Sequence, residues 1–189
     1  MFSRFVAMMA LIFAALFTPM AANAQNTVSD QYTANELVAA GGQFFGSVSQ
    51  GLASVVERAV SNYGLPNGYI LGQEGSGAIF GGVKYGEGEL YTKNAGNHIL
   101  YWQGPTLGFD VGADGSQVMM LVYNLPSTES IYGRYPGVDG SAYVVGGIGM
   151  TVMKYKDIYL VPIRSGIGAR LGVNVGYLKF TKNPTWNPF

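Results

Sequence analysis

The chain has 189 residues, 48% of them apolar and only 12% charged, with 28 glycines, 13 tyrosines and a formal net charge of zero. That hydrophobicity excludes a disordered chain, and the zero charge excludes nucleic-acid binding by an overall electrostatic field. With no cysteine and a single histidine, His98, disulfide frameworks, iron–sulfur and zinc-finger sites, cysteine nucleophiles and two-histidine metal sites are excluded together, and no cofactor is expected.

Residues 1–24 read as a cleaved secretory signal peptide. Arg4 supplies the positive start, residues 5–17 the apolar core, Pro19 the helix breaker, and Ala22-Asn23-Ala24 the small-residue cleavage pattern. The apolar core, about 13 residues long, is shorter than the roughly 20 that a spanning helix needs. Cleavage after Ala24 would send a single domain, residues 25–189, to a periplasm.

An N-terminal α-helix is expected over about 34–62. Thr33 and Glu36 have capping-box spacing. Leu37, Phe44, Val48, Leu52, Val55, Val56 and Val60 then recur at helical intervals on one face. Gly41-Gly42 is the expected place for a break, and Asn62-Tyr63-Gly64-Leu65-Pro66 carries the stop signal.

Beyond Pro66 short β runs alternate with glycine. Ala78-Ile79-Phe80 leads into Val83-Lys84-Tyr85, Gly86-Glu87-Gly88 reads as a turn, and residues 89–93 return the chain. After Asn94-Ala95-Gly96-Asn97 come residues 99–102, then 107–112, an Asp114-Gly115 hairpin signal, and 118–123. Residues 126–138 read as a loop with one helical turn, and 143–155, 158–163 and 171–180 as the last strands. Short turns without intervening helices require antiparallel pairing. The expectation is mainly β: a small antiparallel β-barrel of about ten strands over about 67–182, behind the N-terminal α-helix and before a Pro-rich tail, 183–189.

Catalytic signals are weak. Gly86-Glu87-Gly88 and Gly166-Ile167-Gly168 do not open a helix after a strand, so they read as turns rather than dinucleotide loops. His98 lies at a turn edge, where a surface histidine is the simpler reading. Glu87 and Glu89 would share a strand face but flank a turn, where solvation keeps a carboxyl from acting as a general acid. Asp110 and Asp114 read as turn residues. No catalytic or metal residue is assigned, and an envelope-directed hydrolase using Glu87, Glu89 or His98 is the alternative.

Charge is distributed unevenly. Residues 25–149 hold ten acidic and four basic side chains. Residues 150–189 hold Lys154, Lys156, Arg164, Arg170, Lys179 and Lys182 against Asp157 alone. Placed on one rim, these cations would meet lipid phosphates or an acidic partner; spread out, they would be ordinary solvated edge residues. Tyr101, Trp102 and Trp186 are the matching aromatic candidates, for glycan stacking or a membrane interface if exposed and for core packing if buried.

Several segments, in order, carry a family resemblance: residues 44–53, Asn67-Gly68-Tyr69-Ile70-Leu71-Gly72, residues 85–93, Tyr101-Trp102-Gln103-Gly104-Pro105, residues 137–143, Tyr177-Leu178-Lys179-Phe180 and residues 184–189. With them the chain resembles the EipA-like envelope-integrity family (domain of unknown function 1134) over essentially all of the mature region. The resemblance implies a periplasmic barrel of about ten strands behind an N-terminal helix, and a role in keeping a Gram-negative envelope intact under stress. It carries no catalytic residues. A weaker likeness to the SYLF lipid-binding domain rests on Gly86-x-Gly88, Trp102-x-Gly104-Pro105 and Gly108-Phe109, and implies lipid contact. The expected partner is thus an envelope lipid, glycan or periplasmic protein, with peripheral membrane contact and no nucleic acid.

Overall fold

The computed structural model describes residues 30–46, 49–77, 82–106, 116–165 and 176–187. The expected signal peptide, Val48, Ala78-Ile79-Phe80, residues 107–112, the Asp114-Gly115 hairpin, Gly166-Ile167-Gly168, Arg170, residues 171–175 and the last two residues lie outside them.

Two helices come first, α1 (Ala34–Phe45) and α2 (Gln50–Tyr63). Thr33 and Glu36 form the expected capping box: the Thr33 N–H donates to Glu36 Oε2 at 2.7 Å, and the Glu36 N–H donates to Thr33 Oγ1 at 3.3 Å. The single helix of the sequence reading is corrected to two, and the break is not at Gly41-Gly42. Gly46 ends α1 in the left-handed region, φ 76°. Ser49 then starts α2, its Oγ accepting the Leu52 N–H at 3.1 Å. Gly41 and Gly42 stay helical and buried, and at Gly41 the Met119 side chain comes close: a Cβ there would lie 2.9 Å from its Sδ.

Ten strands follow: β1 (Gly68–Gly77), β2 (Gly82–Thr92), β3 (Gly96–Thr106), β4 (Ser116–Tyr123), β5 (Arg134–Pro136), β6 (Tyr143–Val145), β7 (Ile148–Met150), β8 (Met153–Tyr155), β9 (Ile158–Ser165) and β10 (Tyr177–Thr181). They pair antiparallel in the order β5-β10-β3-β2-β1-β4-β9-β7-β6, with β8 also on β9. The sheet curls until the β5 flank meets β8: Gly137 and Met153 form an isolated bridge, and the Val138 N–H donates to the Val152 carbonyl at 2.8 Å. The mainly-β, barrel-like expectation therefore holds.

Several local readings change. Gly86-Glu87-Gly88 is not a turn; it lies inside the continuous strand β2. Residues 68–77, not singled out as a strand, form β1. Residues 143–155 make three short strands. The loop 126–138 does hold one 3-10 turn, Thr128–Ile131, but also β5.

Period-2 alternation divides the apolar side chains into two cores. Along β4, Val118, Met120 and Val122 face the interior of the curl with Ile70, Leu90, Leu100, Trp102, Leu178 and Phe180. Met119, Leu121 and Tyr123 face outward against Leu37 of α1 and Leu52, Val55, Val56 and Ala59 of α2. β4 is thus buried on both faces, and the helices cover the outside of the β1-β4-β9-β7 side. The outside of β2, β3, β10 and β5 is not part of this helix-covered core: Ile99 on β3 is 68% exposed.

Candidate functional site

Inside the curl sits a charged cluster. Glu74 of β1 is 4% exposed and takes both prongs of Arg164 from β9, Nε at 2.8 Å and Nη2 at 2.9 Å. The Trp102 indole N–H of β3 donates to its Oε1 at 3.0 Å, and Lys84 Nζ of β2 lies 3.3 Å from Oε2. Burial alone would push the Glu74 carboxyl up. The Arg164 guanidinium and the Lys84 ammonium, with the hydrogen bonds from Arg164 and Trp102, outweigh burial and hold it at about 2. A carboxylate this firmly ionised cannot serve as a general acid near neutral pH. Its bonds tie β1, β2, β3 and β9 together across the interior.

The Trp102 indole also explains the glycines of β2. A Cβ on Gly86 would run into its ring, and one on Gly72 would lie 2.6 Å from its Cη2. The residues that read as a turn are the floor on which the indole rests.

On the outer face away from α1 and α2, one ladder row crosses four strands. Arg134 of β5 opposes Lys179 of β10, Lys179 opposes Gln103 of β3, and Gln103 opposes Tyr85 of β2. The Arg134 guanidinium is exposed and lies over the Tyr177 ring, 4.6 Å from its centroid. Gln103 is buried, and its Nε2 has no hydrogen-bond partner. At the other end the Tyr85 hydroxyl donates to the Trp186 carbonyl at 3.0 Å, and the two rings meet edge to face at 5.2 Å. Trp186 is 85% exposed all the same.

The residues singled out from sequence do not gather on one rim. Arg164 and Trp102 are inside the curl. Lys154 of β8 and Lys156 of the β8–β9 turn lie over the rings of Tyr159 and Tyr155. Lys182 pairs with Glu129 and lies over Tyr132. Lys179, Tyr101 and Trp186 belong to the uncovered side, and Arg170 is outside the described residues. Arg134, Tyr85 and Gln103 were missed. Their signal is cross-strand register, which a single sequence does not print.

The catalytic candidates do not converge either. Glu87 and Glu89 point outward on β2, and Glu89 accepts the Tyr91 hydroxyl at 2.6 Å. His98 opposes Leu90 of the interior, so it lies on the other face of the sheet, its Nε2 2.9 Å from the Ala95 carbonyl. Among the described residues no group of three His, Asp or Glu side chains could hold a metal ion.

The sequence matches the family described as EipA, envelope integrity protein A, over residues 30–189. The fold is similar to the crystal structure of a β-barrel-like, uncharacterized protein from Brucella abortus, with a TM-score of 0.81 and 64% identity, covering 85% of this chain and 100% of that one. No curated protein matches the chain.

Proposed function

The chain belongs to the envelope integrity protein A family, and we propose that it is a non-enzymatic periplasmic barrel that supports the cell envelope under stress by binding an envelope component on the sheet face its helices leave open. The observation that carries this reading is Trp186. A free indole on a tail would cover itself against the nearest apolar surface, because burying a large side chain gains about 2 kcal/mol or more. Here Trp186 is anchored through its carbonyl to Tyr85 while its ring stays 85% exposed. An aromatic ring displayed on a fixed support is the arrangement of a binding surface. Arg134 and Lys179 supply cations to the same row.

The hydrolase reading finds less support, because Glu87 and Glu89 are separated from His98 by the sheet and Glu74 is locked in ion pairs. The test is rescue of a deletion strain challenged with detergent. Wild-type protein should restore survival. An Arg134→Ala/Trp186→Ala double variant, present at the same level and melting at the same temperature, should not. Full rescue by that variant would remove the open face from the account.

A further inference from the structure

We infer that the occupant of this face is a carboxylate-bearing aminosugar glycan, the chemistry of cell-wall peptidoglycan strands; the inference rests on the binding role proposed above and names its ligand. The row Arg134–Lys179–Gln103–Tyr85 spans three inter-strand steps of about 4.8 Å, about 14 Å in all, with Trp186 standing at the Tyr85 end. Its two ends differ in chemistry. One end offers an exposed indole braced by a phenol. A pyranose ring has apolar C–H faces and a rim of hydroxyls, so it stacks on such a ring while its edge groups reach polar neighbours. The other end offers Arg134, whose guanidinium lies over the Tyr177 ring and whose fork of donors suits a two-pronged bond to a carboxylate. Between them lies Gln103, whose side chain is buried and so forms part of the floor of the row and makes no direct contact with the ligand.

Other occupants fit less well. Acyl chains need a contiguous apolar patch, whereas Gln103 and Lys179 separate the indole from the Tyr177–Arg134 stack. Nucleic acid needs a run of cations for its evenly spaced phosphates, whereas Glu87 and Glu89 occupy the same outer face of β2. An elongated ligand with sugar rings and spaced carboxylates matches both ends of the row.

The test is co-sedimentation of the purified full-length protein with isolated peptidoglycan sacculi at near-physiological salt, about 0.15 M, where loose charge attraction is screened. The protein should pellet with sacculi and return to the supernatant once a muramidase digests them. Trp186→Ala should weaken binding about fivefold, the scale of one lost ring contact. Arg134→Ala should weaken it about tenfold, the scale of one lost charge-assisted bond. Both variants should keep the wild-type circular dichroism melt. The inference is overturned if wild-type protein stays in the supernatant, if both variants pellet like wild type, or if the protein binds lipopolysaccharide vesicles and ignores sacculi. Failure here alongside failed rescue by the double variant would leave the face right and its ligand class wrong. Full rescue by the double variant would remove the face itself.

Discussion

The Trp102 indole N–H donates to the Glu74 carboxylate at 3.0 Å, so the largest buried side chain of the sheet and its most buried acid hold each other inside the curl. Arg164 closes on the same carboxylate from β9. The interior of this barrel is therefore a wired core, and the functional reading moves to the outer face.

Acid should loosen that wiring. The folded-state value of Glu74 is lowered from 4.5 to about 2. Its contribution to stability is thus present above about 4.5 and lost as the pH falls toward 2. Melting temperature should drop over that window. Glu74→Gln should lower stability by about 3–5 kcal/mol at neutral pH, because it leaves the cationic partners of the pair buried without their carboxylate, and should flatten the acid dependence. A Glu74→Gln variant with wild-type stability and an unchanged acid profile would contradict the role given to this cluster.

The glycine floor beneath Trp102 leads to a second expectation. Gly86→Ala forces a Cβ into the indole, and overpacking of this kind costs about 1–3 kcal/mol. For a domain of this size that is a fall of about 2–4 °C in Tm per kcal/mol. Tryptophan fluorescence should shift to the red as the displaced ring meets water. Wild-type stability for Gly86→Ala would show that the floor can yield.

Two helix glycines should differ. A Cβ on Gly51 would lie 2.7 Å from the Val145 carbonyl, which is backbone, whereas one on Gly41 meets the flexible end of Met119 at 2.9 Å. Gly51→Ala should cost about 1–3 kcal/mol. Gly41→Ala should be near neutral or stabilising, since alanine recovers up to about 1 kcal/mol of helix propensity. Thermal melts of the two variants check the order, and a more damaging Gly41→Ala would reverse it.

Removing the catalytic candidates should leave function intact. His98→Ala and a Glu87→Gln/Glu89→Gln double variant should rescue a detergent-challenged deletion strain as fully as wild type. Loss of rescue by a folded variant of either kind would revive the hydrolase reading.

The broad fold was legible in the sequence, and the reasons are local. Thr33 and Glu36 announce a helix start at fixed spacing, and short apolar runs between glycines announce an antiparallel sheet. What was hidden is what depends on the interior. The inward positions of β1 are Ile70, Gly72 and Glu74, and those of β2 are Lys84, Gly86, Gly88 and Leu90. Glycines and charges at those places erase the apolar alternation that marks a half-buried strand, so the sequence pattern hides β1 and mimics a turn in the middle of β2. Arg164 reads as part of a basic rim in the sequence because its partner, Glu74, is 90 residues away. The helix break is expected at Gly41-Gly42 and lies instead at Gly46, because packing tolerates two buried glycines inside a helix whereas the left-handed conformation of Gly46 ends α1.

Amide hydrogen exchange on the protein with and without muramidase-solubilised cell-wall glycan locates the binding face directly. Slowed exchange is expected only in β3, β10, β5 and the tail around Trp186, with α1 and α2 unchanged. Protection on the helices instead, or none anywhere while the protein still pellets with sacculi, would contradict a binding face on the open side of the sheet.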